Sequence, residues 1–202
     1  EHGDDSHDGT APDRAWRSLE RANRATFQPG DRILFHAGDT FDGMFEPKGS
    51  GSEGHPIFVD RYGEGVKPKL RGRGRVEVVL RLENQSYWEI NNLEITNYCK
   101  SGPRDLRGVE IRARDLGWVR HIYLKGLDIH DVNAISDYTD DGDMRAKSFG
   151  GLATIIEGDA KQTAWDDLRI EDCTIRDVGP VGIAMLSTWM DGHRKNDSKT
   201  WF

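Results

Sequence analysis

Three segments of the chain superimpose without gaps: Trp88-Glu-Ile90-Asn-Asn-Leu93-Glu-Ile95-Thr-Asn97-Tyr98, Ile122-Tyr-Leu124-Lys-Gly-Leu127-Asp-Ile129-His-Asp131-Val132 and Leu168-Arg-Ile170-Glu-Asp-Cys173-Thr-Ile175-Arg-Asp177-Val178. Each alternates apolar and polar residues, turns a two-residue corner, alternates again and closes on Asn or Asp. A period of two on either side of a corner describes two short strands, each with one apolar face. A helix needs a period near 3.6, which the pattern lacks. A Gly-led, strand-like run follows each copy: Gly108-Val-Glu-Ile111, Gly151-Leu-Ala-Thr154 and Gly182-Ile-Ala-Met185. Three strands per unit, joined by connections of unequal length and without Asn-Gly hairpin signals, predict an all-β chain. The predicted fold is a right-handed parallel β-helix whose coils stack about 4.8 Å apart.

Upstream, Asp31–Phe35, Phe41–Phe45, Pro56–Val59, Pro68–Leu70 and Val76–Leu80 read as less regular strands between Gly-rich turns. Before them Ser18 can cap a short helix running to about Ala25, with Leu19 and Ala22 on one face. Such a helix would close the apolar end of the solenoid and its strand edges. The stretch after Leu186 is polar and carries no capping pattern. One domain over 1–202 is therefore expected: an N-terminal turn and capping helix to residue 30, coils over 31–186 and a loop over 187–202. Its missing C-terminal coils are expected from a continuation of the chain or from a separate C-terminal chain.

Composition narrows the function. The chain has 202 residues, with 28 Lys and Arg against 35 Asp and Glu for a net charge of −7. The basic residues are scattered, which argues against nucleic acid as a partner. No apolar run approaches the roughly 18 residues of a membrane span. The two cysteines, Cys99 and Cys173, lie two coils apart, about 10 Å at the stacking distance. That exceeds the roughly 7 Å Cα separation a disulfide tolerates. Free thiols are expected, with Cys173 pointing inward, buried and inert.

Several stretches resemble the N-termini of secreted bacterial right-handed β-helix enzymes, the pectate-lyase-like glycoside hydrolases and polysaccharide lyases. They are Gly3-Asp-Asp-Ser-His-Asp-Gly-Thr10, Ala15-Trp-Arg-Ser-Leu19, Phe27-Gln-Pro-Gly-Asp-Arg-Ile-Leu-Phe35 and Gly49-Ser-Gly-Ser-Glu-Gly-His-Pro-Ile57, together with the Ile-x-Asn-Asn-Leu-x-Ile-x-Asn repeats. The resemblance implies a secreted or periplasmic, glycan-active protein whose partner is a polysaccharide or oligosaccharide. Polar residues from Glu1 onward are compatible with a mature secreted form.

The alternation assigns the outward residues. Glu94, Asp128 and Thr174 form one ladder, and Thr96, His130 and Arg176 the next. His130 beside Arg176 would suit proton transfer or the binding of an acidic sugar. Asn97, Asp131 and Asp177 share a corner where short polar side chains satisfy turn amides. Two insertions leave this edge: Cys99 to Arg107, and Asn133 to Gly150, which carries Asp137, Asp140, Asp141 and Asp143. Long loops on one edge build a groove wall. Glycoside hydrolysis uses two carboxyl groups roughly 5 to 9 Å apart. The candidates are Asp141 in the acidic loop and Glu157 and Asp159 at a strand end, with His130 as a proton-transfer group. Arg176, Trp189 and His193 are the candidates for holding substrate. Asp4-x-Ser6-x-Asp8-Gly9 begins like a calcium loop, but Ala15 stands where a Glu is needed, so a turn is expected. No cofactor is required, and a lone Ca²⁺ is the only ion this loop suggests. The expected function is cleavage of glycosidic bonds by a glycoside hydrolase. A polysaccharide lyase acting on a uronate-containing glycan and a non-catalytic glycan-binding β-helix are the alternatives.

Overall fold

The computed structural model describes residues 3–135 and 148–188. Within them the chain visits three sheets in a fixed order and returns to the first. The first sheet holds Arg32–His36, Ile57–Tyr62, Trp88–Asn91, Trp118–Lys125 and Ala164–Glu171. The second holds Thr40–Asp42, Lys69–Arg71, Glu94–Thr96, Asp128–His130 and Thr174–Ile175. The third holds Val78–Glu83, Arg107–Arg114, Gly150–Glu157 and Val181–Ser187. In each sheet the strands lie in sequence order and pair in parallel. Two short parallel pairs, Thr26–Phe27 with Lys48–Gly49 and Val132–Asn133 with Val178–Gly179, complete the described strands. The described residues are thus mostly β, with a short α-helix, Leu19–Arg24, and a 3-10 turn, Pro12–Arg14.

The repeat found in the sequence is the register of the sheets. Ile122 pairs with both Trp88 and Leu168, and Ile129 with both Ile95 and Ile175. The apolar positions face one interior, where Trp88, Ile90, Leu93, Ile95, Leu124 and Leu127 have no exposed surface. Each such side chain contributes roughly 1.5–3 kcal/mol by leaving water. The two-residue corner also has a physical basis. Asn92, Gly126 and Asp172 occupy its second position with φ of 55°, 63° and 53°. Only Gly, Asn and Asp reach that left-handed region at little cost, which explains why these three types interchange there. The glycines opening the third strand answer a different demand. A Cβ on Gly108 would lie 2.7 Å from the Gly151 carbonyl oxygen, and one on Gly151 would lie 2.6 Å from that of Gly182.

The two ends differ. At the N-terminal end the helix Leu19–Arg24 is capped by Ser18, whose Oγ accepts the Arg21 N–H at 3.1 Å. Leu19 and Ala22 are buried against the core, as the sequence predicted. At the other end the last strand of the third sheet runs on to Ser187, and Ile183 and Met185 are 48% and 65% exposed. Leu168, Ile170 and Ile175 in the last circuit are only partly buried. Both cysteines are free, but it is Cys99 that is buried. Cys173 is half-buried, because among the described residues no circuit covers the last copy of the repeat. Trp88 is buried, and Trp165 packs against the core.

Candidate functional site

The outward ladders of the second sheet are formed as the alternation implies. Glu94, Asp128 and Thr174 are in register, and His130 lies beside Thr96. His130 does not meet Arg176. Its Nε2 is 2.9 Å from Glu94 Oε1 and its Nδ1 is 2.8 Å from Asp131 Oδ2, while Arg176 turns to Asp177 at 3.1 Å and Asp128 at 3.6 Å. The corner explains this: Asp131 and Asp177 both sit at φ 51°, and each carboxylate engages the side chain of the residue before it. Both ring nitrogens of His130 therefore face a carboxylate oxygen. Lys69 Nζ adds a contact of 2.7 Å to Glu94. Burial raises the Glu94 pKa, but the hydrogen bonds from Lys69 and His130 outweigh it and hold the carboxyl below its ordinary range. The result is a half-buried chain of polar contacts, Lys69–Glu94–His130–Asp131, that sets an imidazole between two carboxyl groups.

Asn97, the third corner residue, behaves differently from its two equivalents. It is fully buried, its Oδ1 accepts the Gly74 N–H at 2.9 Å, and its Nδ2 donates to the carbonyls of Val76 and Arg107 at 3.0 and 3.1 Å. It therefore satisfies backbone groups of two circuits.

Glu157 closes the third strand of the third sheet and takes Arg114 Nη2 at 2.8 Å. Asp159 follows in a turn organised by Asp115, a residue the sequence did not single out. Asp115 Oδ1 accepts the backbone N–H groups of Asp159, Ala160 and Lys161 at 3.0, 2.9 and 3.0 Å. These bonds, led by that from Lys161, hold the Asp115 carboxyl below its ordinary range. Asp141, Trp189 and His193 lie outside the described residues. At the N-terminus Asp4, Asp5 and Asp8 spend their carboxylates on the N–H groups and hydroxyls of Ser6, Thr10, Arg17 and Ser18. Among the described residues no group of His, Cys, Asp or Glu is arranged to hold a metal ion.

The largest feature missed by the sequence lies on the outer face of the third sheet. Arg107 and Glu110 are fully buried. Glu110 Oε1 accepts Arg81 Nε at 2.9 Å, and its Oε2 lies 3.3 Å from Arg107 Nε. Arg107 reaches Glu77 through Nη1 at 2.6 Å and Ser148 through Nε at 3.0 Å, with Phe149 under its guanidinium. Burial pushes the Arg107 pKa down, opposed by Glu110 and Glu77. Strand alternation marks Glu110 as outward and so as exposed. The available signal was charge complementarity at one stacked position, where Arg81 pairs in register with Glu110.

Comparison with known proteins agrees with this architecture. No family model matches the sequence. Lacto-N-biosidase from Bifidobacterium longum subsp. longum is 29% identical over 251 aligned residues, covering 91% of this chain and 15% of that protein. Among solved structures, native GH136 lacto-N-biosidase from Eubacterium ramulus superimposes with a TM-score of 0.79 at 23% identity, over 98% of this chain and 36% of that one. Its selenomethionine derivative gives 0.75 at 24%, over 89% and 33%. At these identities the structural likeness is one of fold. The chain spans about a third of the length of the solved structures and a smaller share of the curated relative.

Proposed function

We propose that this chain is the N-terminal part of a secreted glycoside hydrolase that cleaves an oligosaccharide, with its three sheets forming the faces of a right-handed parallel β-helix. The observation that carries the reading is the 29% identity to a lacto-N-biosidase along 91% of the chain. The exposed inward side chains Ile183 and Met185 support a continuation, since an open strand edge above an apolar interior calls for further strands in register. His130, between Glu94 and Asp131, is assigned a proton-transfer role. Glu157 and Asp159 are assigned the carboxylate pair, together with Asp141. Arg176, Trp189 and His193 are assigned to substrate. The His130–Arg176 pair that would suit an acidic sugar is not formed, and the two side chains instead engage separate carboxylates.

The test is product analysis by the intact protein on an oligosaccharide ending in lacto-N-biose, the unit named in the relative. New reducing ends without the ultraviolet absorbance of an unsaturated uronate are expected, with loss of turnover in Glu157→Gln, Asp159→Asn or His130→Asn. Unsaturated products would establish a lyase. Binding without any product would establish a recognition module.

A further inference from the structure

A cleft of about 420 Å³ opens where the second sheet hands over to the third, across three successive circuits. It is a shallow depression open to solvent, so a ligand would be held on one face rather than enclosed. Val76 and Ile135, both half-buried, give it an apolar strip, with the buried Leu106 of the circuit between them at its floor. Two cations, Arg75 and Arg104, and two anions, Glu77 and Asp105, share the same walls.

The walls are tied together before any ligand arrives. Arg107 N–H donates to the Glu77 carbonyl at 2.7 Å, and Ile135 N–H to the Arg104 carbonyl at 2.9 Å. The buried Asn97 side chain bonds Gly74 and Val76 on one wall and Arg107 beside the other. Glu77 is aimed by the fully buried Arg107, itself held by Ser148 and Glu110. Its side chain nevertheless stays 41% exposed and open to a ligand. Asp105 makes no hydrogen bond or ion pair among the described residues, and its carboxylate is likewise available.

We propose that this cleft is a binding subsite for one pyranose unit of an uncharged oligosaccharide. A pyranose presents C–H groups on its faces and hydroxyls around its rim. The apolar strip suits the first, while a carboxylate acceptor and a guanidinium donor on each wall suit hydroxyls, which both donate and accept. The balanced charge selects a neutral sugar, because an acidic glycan would gain at the arginines and lose at Glu77 and Asp105. Walls fixed by buried hydrogen bonds reduce the entropy cost of binding.

The inference rests on the glycan-active reading above and deepens it. The test is calorimetric titration of the intact protein with a neutral tetrasaccharide ending in lacto-N-biose and, separately, with tetragalacturonate. Binding of the first and not the second is expected. Asp105→Asn and Arg104→Ser should each weaken it about tenfold, the scale of a charge-assisted hydrogen bond. These two positions lie on the exposed rim and leave Arg107 paired, so a folding defect does not mask the outcome. Glu77→Gln, which keeps the amide oxygen toward Arg107, should weaken binding as well. Unchanged affinity in Asp105→Asn and Arg104→Ser, with wild-type binding intact, would overturn the subsite and leave the glycan-active reading standing. Preference for tetragalacturonate would overturn the neutral-sugar assignment. Neither binding nor cleavage of either glycan would overturn both.

Discussion

The copy of the repeat at Ile122–Val132 and the copy at Leu168–Val178 have the same pattern and pair strand for strand, yet only the first is buried. Ile129 has no exposed surface, whereas Ile175, its partner in register, is partly open. The difference is not in the residues but in what lies on either side of them. Ile129 is sandwiched between Ile95 and Ile175; for Ile175 the described residues supply a neighbour on one side. Burial in a stack of circuits is thus a property of neighbours as much as of sequence, as nearest-neighbour energetics of repeat architectures imply.

The sharpest way to break this comparison is to cut the same methyl groups from both copies. Ile129→Ala should cost about 2–5 kcal/mol, the range for deleting a large aliphatic side chain from a packed core. Ile175→Ala should cost well under half of that in this chain, read as urea midpoints at constant m. Equal losses would mean that the last circuit is covered as well as the fourth. A protein carrying further circuits should show the two costs converge.

A smaller effect tests the other end. Ser18 caps the helix that covers the first circuit, and its Oγ–H donates to Asp5 Oδ2 at 2.6 Å. Ser18→Ala should cost about 1 kcal/mol. A shift in thermal midpoint with unaltered β-sheet circular dichroism would locate that loss in the cap.

The smallest effect is a pH dependence that distinguishes the third and fourth circuits from the fifth. Glu94 has a folded pKa below its ordinary 4.5, so its contribution to stability is present above that value and is lost as pH falls through the lower, folded one. Wild type should therefore lose stability on acidification below about pH 4.5 more steeply than Glu94→Gln, measured by denaturant midpoints. In the fifth circuit the register position of Glu94 is Thr174, which cannot contribute such a term. Parallel pH profiles for the two proteins would show that the Lys69–Glu94–His130 chain is not stabilising.

The sequence announced the periodic parts of the molecule because stacking forces one residue to meet its equivalent. Trp88, Ile122 and Leu168 align in the text and in the sheet for the same reason, and Ser18, Leu19 and Ala22 betray the cap through local chemistry alone. Contacts made sideways were not legible. That Asp131 would fold back on His130 depends on a left-handed corner residue, which the repeat marks as Asn or Asp without stating its φ. That Glu110 would be buried depends on Arg81 of the neighbouring circuit and Arg107 of its own strand closing over it, and the in/out alternation of one strand carries no information about that. Asp115 was overlooked because it binds backbone N–H groups of a turn more than forty residues away, with no motif to announce it.

The corner after the second sheet has a consequence for how such a protein changes over time. Successive circuits keep their strands in register while the segments between second and third strands vary freely, from the short link before Val78 to the one that includes residues 136–147. Closing a longer loop costs only about 0.6 kcal/mol per doubling of its length. These segments can therefore be exchanged or lengthened at small thermodynamic cost, while the stack that carries them is inherited unaltered.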